Sequence, residues 1–458
     1  MIISSGRQYY WRLAALSLAM LLPSLGTSIA NVALPTLAAS FEAPFHDVQW
    51  VVVSYLLAIT TLIVSIGRLG DLLGRRRLLL VGIGLFAAAS VASIFSPNLG
   101  VLIATRTMQG IGAAIMMALT IALVRDAVSP DRTGSAMGLL GTVSAVGTAL
   151  GPSLGGLLIS WSGWQAVFAF MAIIGTLTFF LGQRLFPADA ATGHRPVSSD
   201  IAGTLLLAVS LGSYSLSATL GGAAPGPMSA ILLGMAAIGI VAFVVVESRS
   251  SAPLIQLERL RDASLGAGLV AMALVSTIMM ATLVVGPFYL SQVLRLSPVW
   301  TGLVMSIGPI VAALTGIPAG RMVDQLGPSV VTLSGLGGVV AGSALMAVLP
   351  ASFGVAGYVG SLALITAGYA LFQAANNTAI MDGATKSHRG VTSALLGLSR
   401  NLGLVTGASV MGAVFAFGSR GAAPLGLDAG GASGMTLTFG VATVLAVVAF
   451  VVSVRGHK

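Results

Sequence analysis

The chain contains no cysteine, few acids and few histidines. Without cysteine there is no disulfide framework and no thiolate metal site. The four histidines, His46, His194, His388 and His457, are scattered and form no metal-ligand cluster with the acids. No Gly-rich loop ending in Lys-Ser/Thr is present, so ATP is not the driving force and no cofactor is expected. No nucleophile, base and orienting group recur at a workable spacing, and four dispersed histidines do not furnish a catalytic centre, so an enzyme is not expected. Charge is also scarce, at 8% of residues, against about 25% in soluble domains. The net charge of +9 would suit nucleic acid only if the basic residues were massed. They sit singly or in short clusters between apolar runs, so no nucleic-acid partner is expected.

What is present is apolar length. The chain has 458 residues, is 56% hydrophobic and has a mean hydropathy of +0.99. Such a composition requires lipid as the solvent for much of the surface, and in lipid a helix satisfies its own backbone polar groups. With about 20 apolar residues per crossing, the chain divides into fourteen candidate spans: 13–38, 48–70, 78–96, 99–124, 133–159, 164–186, 200–220, 228–246, 264–290, 298–321, 329–350, 354–380, 390–416 and 433–454. The first is too long for a signal-peptide core and is read as a retained helix. Twelve is the rival count, and charge placement decides between them. With the amino terminus inside, Arg75, Arg76, Arg77, Arg125, Arg132, Arg184, Arg195, Arg249, Arg259, Arg261, Lys386, Arg389, Arg455 and Lys458 share one side, whereas Arg295 and Arg420 lie on the other. That bias is the positive-inside pattern, and dropping any one span would scramble it.

Two patterns recur. Gly67-x3-Asp71-x2-Gly74 reappears 253 residues on as Gly320-x3-Asp324-x2-Gly327, and Gly141, Gly147 and Gly151 reappear 256 residues on as Gly397, Gly403 and Gly407. A shared offset implies two homologous halves, with the surplus length taken by the seventh and eighth spans. The expected fold is therefore an all-α polytopic membrane protein. It comprises two pseudo-symmetric six-helix bundles plus two inserted helices, fourteen transmembrane helices in all. The bounds are 1–186 for the first bundle, 187–262 for the inserted pair and its linker, and 263–458 for the second bundle. In parallel-repeat transporters the substrate site lies between the halves.

The loop after the second span, Gly67 to Leu80, carries Gly67, Leu69, Asp71, Gly74, Arg75 and Arg76. Asp71 and Asp324 could latch the halves in one state, and the arginines could equally serve only to orient the hairpin. The fourth span holds Arg106-x2-Gln109-Gly110-x-Gly112, and an arginine there costs at least about 2.5–3.5 kcal/mol unless it meets a cavity or a partner. Two readings stay open: a transport residue, or an arginine bonded to backbone carbonyls at a helix crossing. The fifth span reads Gly147-x3-Gly151-Pro152-x2-Gly155-Gly156, a run suited to close, bendable helix packing. Asn31-Val32-Ala33-Leu34-Pro35, Gln49-Trp50, Tyr55, Pro253-Leu254-Ile255 and Arg400-Asn401-x-Gly403 complete the set. Together these motifs resemble the major facilitator transporters, in particular the fourteen-span drug:proton antiporters, over essentially the whole chain. Leu254, Leu257 and Leu260 read equally as a short interfacial helix or a plain linker.

The resemblance implies a secondary-active exporter of drugs or metabolites that works by alternating access and is linked to protons. It would be a monomer in a bacterial inner (cytoplasmic) membrane with both termini cytoplasmic, and its partners would be the lipid bilayer and a small-molecule substrate. One departure qualifies this. The family's first-span motif places an acid before Thr27, and this chain has Gly26. No acid falls inside a predicted span, while Arg106 and Arg400 both do. A cationic core favours an anionic or neutral polar substrate. It keeps open a second reading, an uptake carrier or facilitator for a small organic anion. Substitute proton carriers would be Asp71, Asp47 or His46. The residues expected around substrate or coupling sites are Arg106, Gln109, Asn31, Thr27, Arg400, Asn376 and Asn377. Interhelical hydrogen bonding is the competing role for the polar ones.

Overall fold

The computed structural model describes residues 6–127, 133–186, 201–221, 226–249, 263–382, 389–420 and 427–456. Every long element among them is helical. In order they are α1 (Gly6–Ser40), α2 (Trp50–Leu73), α3 (Arg75–Ile94), α4 (Leu99–Ala127), α5 (Thr133–Ser162), α6 (Gln165–Leu185), α7 (Ile201–Gly221), α8 (Pro227–Arg249), α9 (Ala263–Phe288) and α10 (Pro298–Leu326). The continuous helix Pro328–Asp382 breaks at Gly354, whose φ of 55 and ψ of −130 are not helical. It therefore counts as α11 (328–353) and α12 (355–382). Next, α13 (Arg389–Thr406) runs through a π-helical turn, Gly407–Met411, into Gly412–Arg420. Last comes α14 (Leu427–Gly456). A short helix, Phe45–Val48, precedes α2, and a second π turn, Tyr289–Val293, ends α9.

These are the fourteen spans expected from hydropathy. Twelve helices are long and apolar enough to cross a membrane on their own description. Dividing Pro328–Met381 at Gly354 adds one, and the glycine-rich α5 completes the count. Glu247 lies at the end of its helix, past the apolar stretch of the eighth span, and α8 continues to Arg249 and buries the Glu247 side chain. Hydropathy ends a span where the first charge appears, whereas a helix ends only where its hydrogen-bond ladder stops. The candidate interfacial helix 253–261 lies outside the described residues.

The repeat is visible in three dimensions. Gly74 closes α2 at φ 92 and Gly327 closes α10 at φ 82, a left-handed conformation that strains any residue with a Cβ. A Cβ on Gly147 would meet Leu21 and Ser24 of α1, and one on Gly403 would meet Ala273 and Ser276 of α9. Gly112 of α4 lies against Gly82 and Phe86 of α3, just as Gly368 of α12 lies against Gly335 and Val339 of α11. Each pair matches at nearly the same offset, so the two halves share helix crossings as well as sequence. The inserted pair packs α7 against α8. Ser217 donates to the Ser229 carbonyl at 2.8 Å, and Ser210 packs against Gly239. The serine-rich seventh span is thus helix-to-helix packing. The outer face of α8, including Ile238 and Val241, stays exposed, as a lipid-facing surface must.

Candidate functional site: a clasped arginine and the seam between halves

Arg106 sits in the second turn of α4 and is fully buried. It donates Nε–H to the Val51 carbonyl of α2 at 2.9 Å and Nη2–H to the Gly26 carbonyl of α1 at 3.1 Å. Its Nη1 donates to Gln109 Oε1 at 2.5 Å, and its guanidinium lies 4.1 Å from the centre of the Tyr55 ring. Gln109 passes the chain on, donating to Ser90 Oγ of α3 at 2.7 Å, and Met171 Sδ of α6 lies 3.7 Å from the same nitrogen. Tyr55 in turn donates to the Pro23 carbonyl at 2.9 Å. Each hydrogen bond to a charged group contributes about 1.5–3 kcal/mol, and the cation–π contact adds about 0.5–2. Those terms outweigh an insertion cost of about 2.5–3.5 kcal/mol. In this conformation Arg106 therefore has the carbonyl-bonded arrangement, and it draws α1, α2 and α4 together.

The same cluster explains Gly26. A Cβ there would lie 2.9 Å from the Tyr55 hydroxyl and 3.5 Å from the Phe86 ring. With glycine at this position the Tyr55 hydroxyl fits against α1, and Arg106 takes the Gly26 and Val51 carbonyls as its acceptors. Tyr55 was legible only as part of a motif, since its stacking on a residue two helices away leaves no trace in local sequence.

The other polar residues divide between local bonding and exposure. Thr27 donates to the Pro23 carbonyl at 3.0 Å, and Asn31 donates to the Thr27 and Ser28 carbonyls at 2.9 and 3.3 Å. Asn376 donates to the Gly268 carbonyl of α9 at 3.3 Å, while Asn377 is half-buried. Arg400 differs from all of them. It lies roughly 16 Å along α13 at 1.5 Å per residue, it is exposed, and among the described residues no carboxylate pairs with it. One turn earlier, Gly397 has nothing within 4 Å of where a Cβ would stand. The two arginines expected to act alike are thus unlike, one enclosed and one exposed.

The packing motif of α5 has two faces. Gly147, Gly151 and Gly155 rest on α1, at Ser24, Ser28 and Ile29. Gly156 faces the other way, across the seam, with its Cβ position 3.2 Å from the Cα of Gly302 on α10; the Pro152 carbonyl also abuts Gly302. At the same end of the molecule the Phe45 ring stands edge-on to Phe288 at 4.5 Å and tilted against Phe415 at 5.4 Å. Gln49 lies against Gly412. Phe45 wedges a residue of the first half between two of the second, and its position beside Pro44 in a short connection is the only sequence signal for it. At the opposite, basic end, Arg76 caps α6, donating to the Gln183 and Phe186 carbonyls at 2.6 and 3.2 Å, as cations at helix C-termini do. Arg75 is half-buried beside Gly74, and Asp324 is exposed. The side-chain surroundings of Gly67 and Asp71 lie outside the described residues.

The family profile described as Major Facilitator Superfamily matches residues 16–408. Multidrug resistance protein Stp of Mycobacterium tuberculosis (strain CDC 1551 / Oshkosh) is 31% identical over 408 residues, covering 88% of this chain and 75% of that protein. Riboflavin transporter RibZ of Clostridioides difficile (strain 630) is 28% identical over 411 residues, 90% of this chain and 89% of its own. Among solved structures, a bacterial homologue of the human lysosomal transporter Spinster, inward-facing and unoccupied, matches with a TM-score of 0.71 at 16% identity, over 99% of this chain and 98% of that one. At that identity the structural likeness speaks for the fold, and the profile and the relatives speak for descent. A multi-pass fold of two like halves meeting at a glycine-lined seam moves small molecules by alternating access, and the chain belongs to the Major Facilitator Superfamily of transporters rather than to any class of enzyme.

Proposed function

We propose that this transporter exports small amphiphilic molecules from the cytoplasm and that Arg400 is the cation its cavity offers them. The carrying observation is the contrast between the two arginines: Arg106 is spent on carbonyls, whereas Arg400 is exposed part-way across the membrane. An exposed guanidinium in a low-dielectric wall attracts anionic and neutral polar solutes and repels quaternary cations. Asn376, Asn377 and Thr27 are the polar groups we place nearest that path. The likeness to a multidrug resistance protein supports export. The likeness to a riboflavin transporter supports the second reading, a carrier or facilitator bringing a small organic anion in.

In the same proposal the basic end is cytoplasmic, both termini lie there, and the membrane is the bacterial inner membrane. Residues 1–186 and 263–458 are the moving halves of a monomer, and Asp71 and Asp324 latch the basic end when it shuts. The exposure of Asp324 and the seal around Phe45 fit a state open to the cytoplasm. Proton linkage rests on the resemblance to antiporters. The His46–Asp47 pair, 3.4 Å apart beside the Phe45 wedge, and Asp71 are the groups available to carry it.

The test is growth of an efflux-deficient bacterial strain expressing the chain, challenged with anionic, neutral and quaternary cationic toxic compounds. Protection against the anionic and neutral compounds, with the anionic part lost in Arg400→Gln at unchanged membrane expression, is the expected result. Protection against quaternary cations that Arg400→Gln leaves intact would overturn the assignment. Protection against none would favour the uptake reading.

A further inference from the structure

The two inserted helices do more than lengthen the chain. α7 lies where α2 of the first half meets the second half: it packs on α2, on the π turn Gly407–Met411 and Gly412–Arg420 that continue α13, and on the short helix that carries Phe45. To the first half it is tied at two heights. The Thr204 and Ser65 hydroxyls are 2.5 Å apart, and Gln49 Nε2 donates to Thr219 Oγ1 at 3.3 Å. Those ties are roughly 22 Å apart along the helix at 1.5 Å per residue. To the second half, among the described residues, it is held by packing alone, on the π turn Gly407–Met411 that follows Thr406. A π turn carries one residue more than the helix around it and marks places where a helix can reset its register.

Among the described residues the seam on the other side of the molecule has no such cover. There α5 and α10 meet backbone to backbone at Gly156 and Gly302. The two seams are therefore built differently, one as a close pivot and one as a strapped joint.

We propose that α7 is a strap across the α2–α13 seam, hydrogen-bonded to the first half, and that the far end opens when α7 parts from the π turn of the second half. This rests on the alternating-access reading above. Two hydrogen bonds to the first half against packing alone on the second set which side lets go. The outer face of α8 stays in lipid while its inner face travels with α7, so the pair moves as one piece.

The chain's lack of cysteine makes the test direct, because any introduced cysteine is unique. Spin labels at Ser40→Cys and Phe417→Cys, both exposed positions, report the far-end gap in protein reconstituted in nanodiscs. A second pair, Leu216→Cys with Phe417→Cys, reports strap against second half, and a third, Leu205→Cys with Leu69→Cys, reports strap against first half. When the gap opens, the second distance should lengthen and the third should hold. Ser65→Ala with Thr219→Val removes the two hydrogen bonds to the first half, and the third distance should then lengthen as well when the gap opens. An open population in which α7 stays with α13, or a third distance that the double variant leaves unchanged, would overturn the strap while leaving alternating access standing. A single far-end distance at every pH and with every transported compound would overturn both.

Discussion

Arg106 and Arg400 carry the same charge, each on a membrane-spanning helix, and their neighbours give them different work. The guanidinium of Arg106 is fixed by a planar fork meeting three acceptors at once, two of them carbonyls on other helices. A lysine has the charge without the fork. We therefore expect Arg106→Lys to destabilise the protein by about 2–3 kcal/mol, because a desolvated charge loses acceptors it cannot reach. Arg106→Met should cost less, since replacing a buried charge by an apolar group of similar volume also removes the desolvation term. Thermal unfolding in detergent checks the order, with Arg400→Gln, an exposed position, expected to leave it unchanged. A loss of substrate binding in Arg106→Met with unfolding unaltered would instead put Arg106 in the transport path. The sequence could pose this choice and not settle it. The acceptors of Arg106 come from positions 26 and 51, and only the packing of α1 and α2 onto α4 brings them within reach.

At the scale of the helix, α5 shows how one motif serves two partners. Three of its glycines seat α1, whereas Gly156 meets Gly302 across the seam so closely that any Cβ on Gly302 would strike the Pro152 carbonyl. Even a methyl group must therefore push the halves apart at their pivot. Gly302→Ala should cut transport by at least about tenfold, equivalent to ~1.4 kcal/mol in the rate-limiting step, with insertion intact. Gly316→Ala on the same helix, with nothing within 4 Å, is the matched control. Uptake into everted vesicles measures both, and equal rates would remove Gly302 from the pivot. Most elements of this kind were legible. Apolar length located all fourteen helices, and the glycine-proline run marked α5 as a packing helix. The division of that run between two neighbours was not legible, because helical periodicity gives a face and does not name what lies against it. The π turns and the burial of Glu247 escaped for a related reason: hydropathy senses composition, and both features depend on backbone hydrogen bonding.

For the whole molecule, the unequal seams and the unequal ends belong to one arrangement. Fourteen crossings return both termini to one side, and that side carries Arg75, Arg76 and Arg77 between α2 and α3. The opposite end has Arg295 and Arg420 and is the end sealed by Phe45, Phe288 and Phe415. Charge bias in short connections sets orientation at insertion, so it also decides which solvent the sealed end faces. If the basic end is cytoplasmic, a state sealed around Phe45 is loaded from inside, as an exporter requires before it releases outward. A fluorescent protein fused after Lys458 should then fluoresce, and alkaline phosphatase fused after Gly163, at the far end of α5, should be active. The reverse pair of results would turn the molecule over. The same sealed state would then take its substrate from outside, and the carrier for an incoming organic anion would become the better account of the same residues.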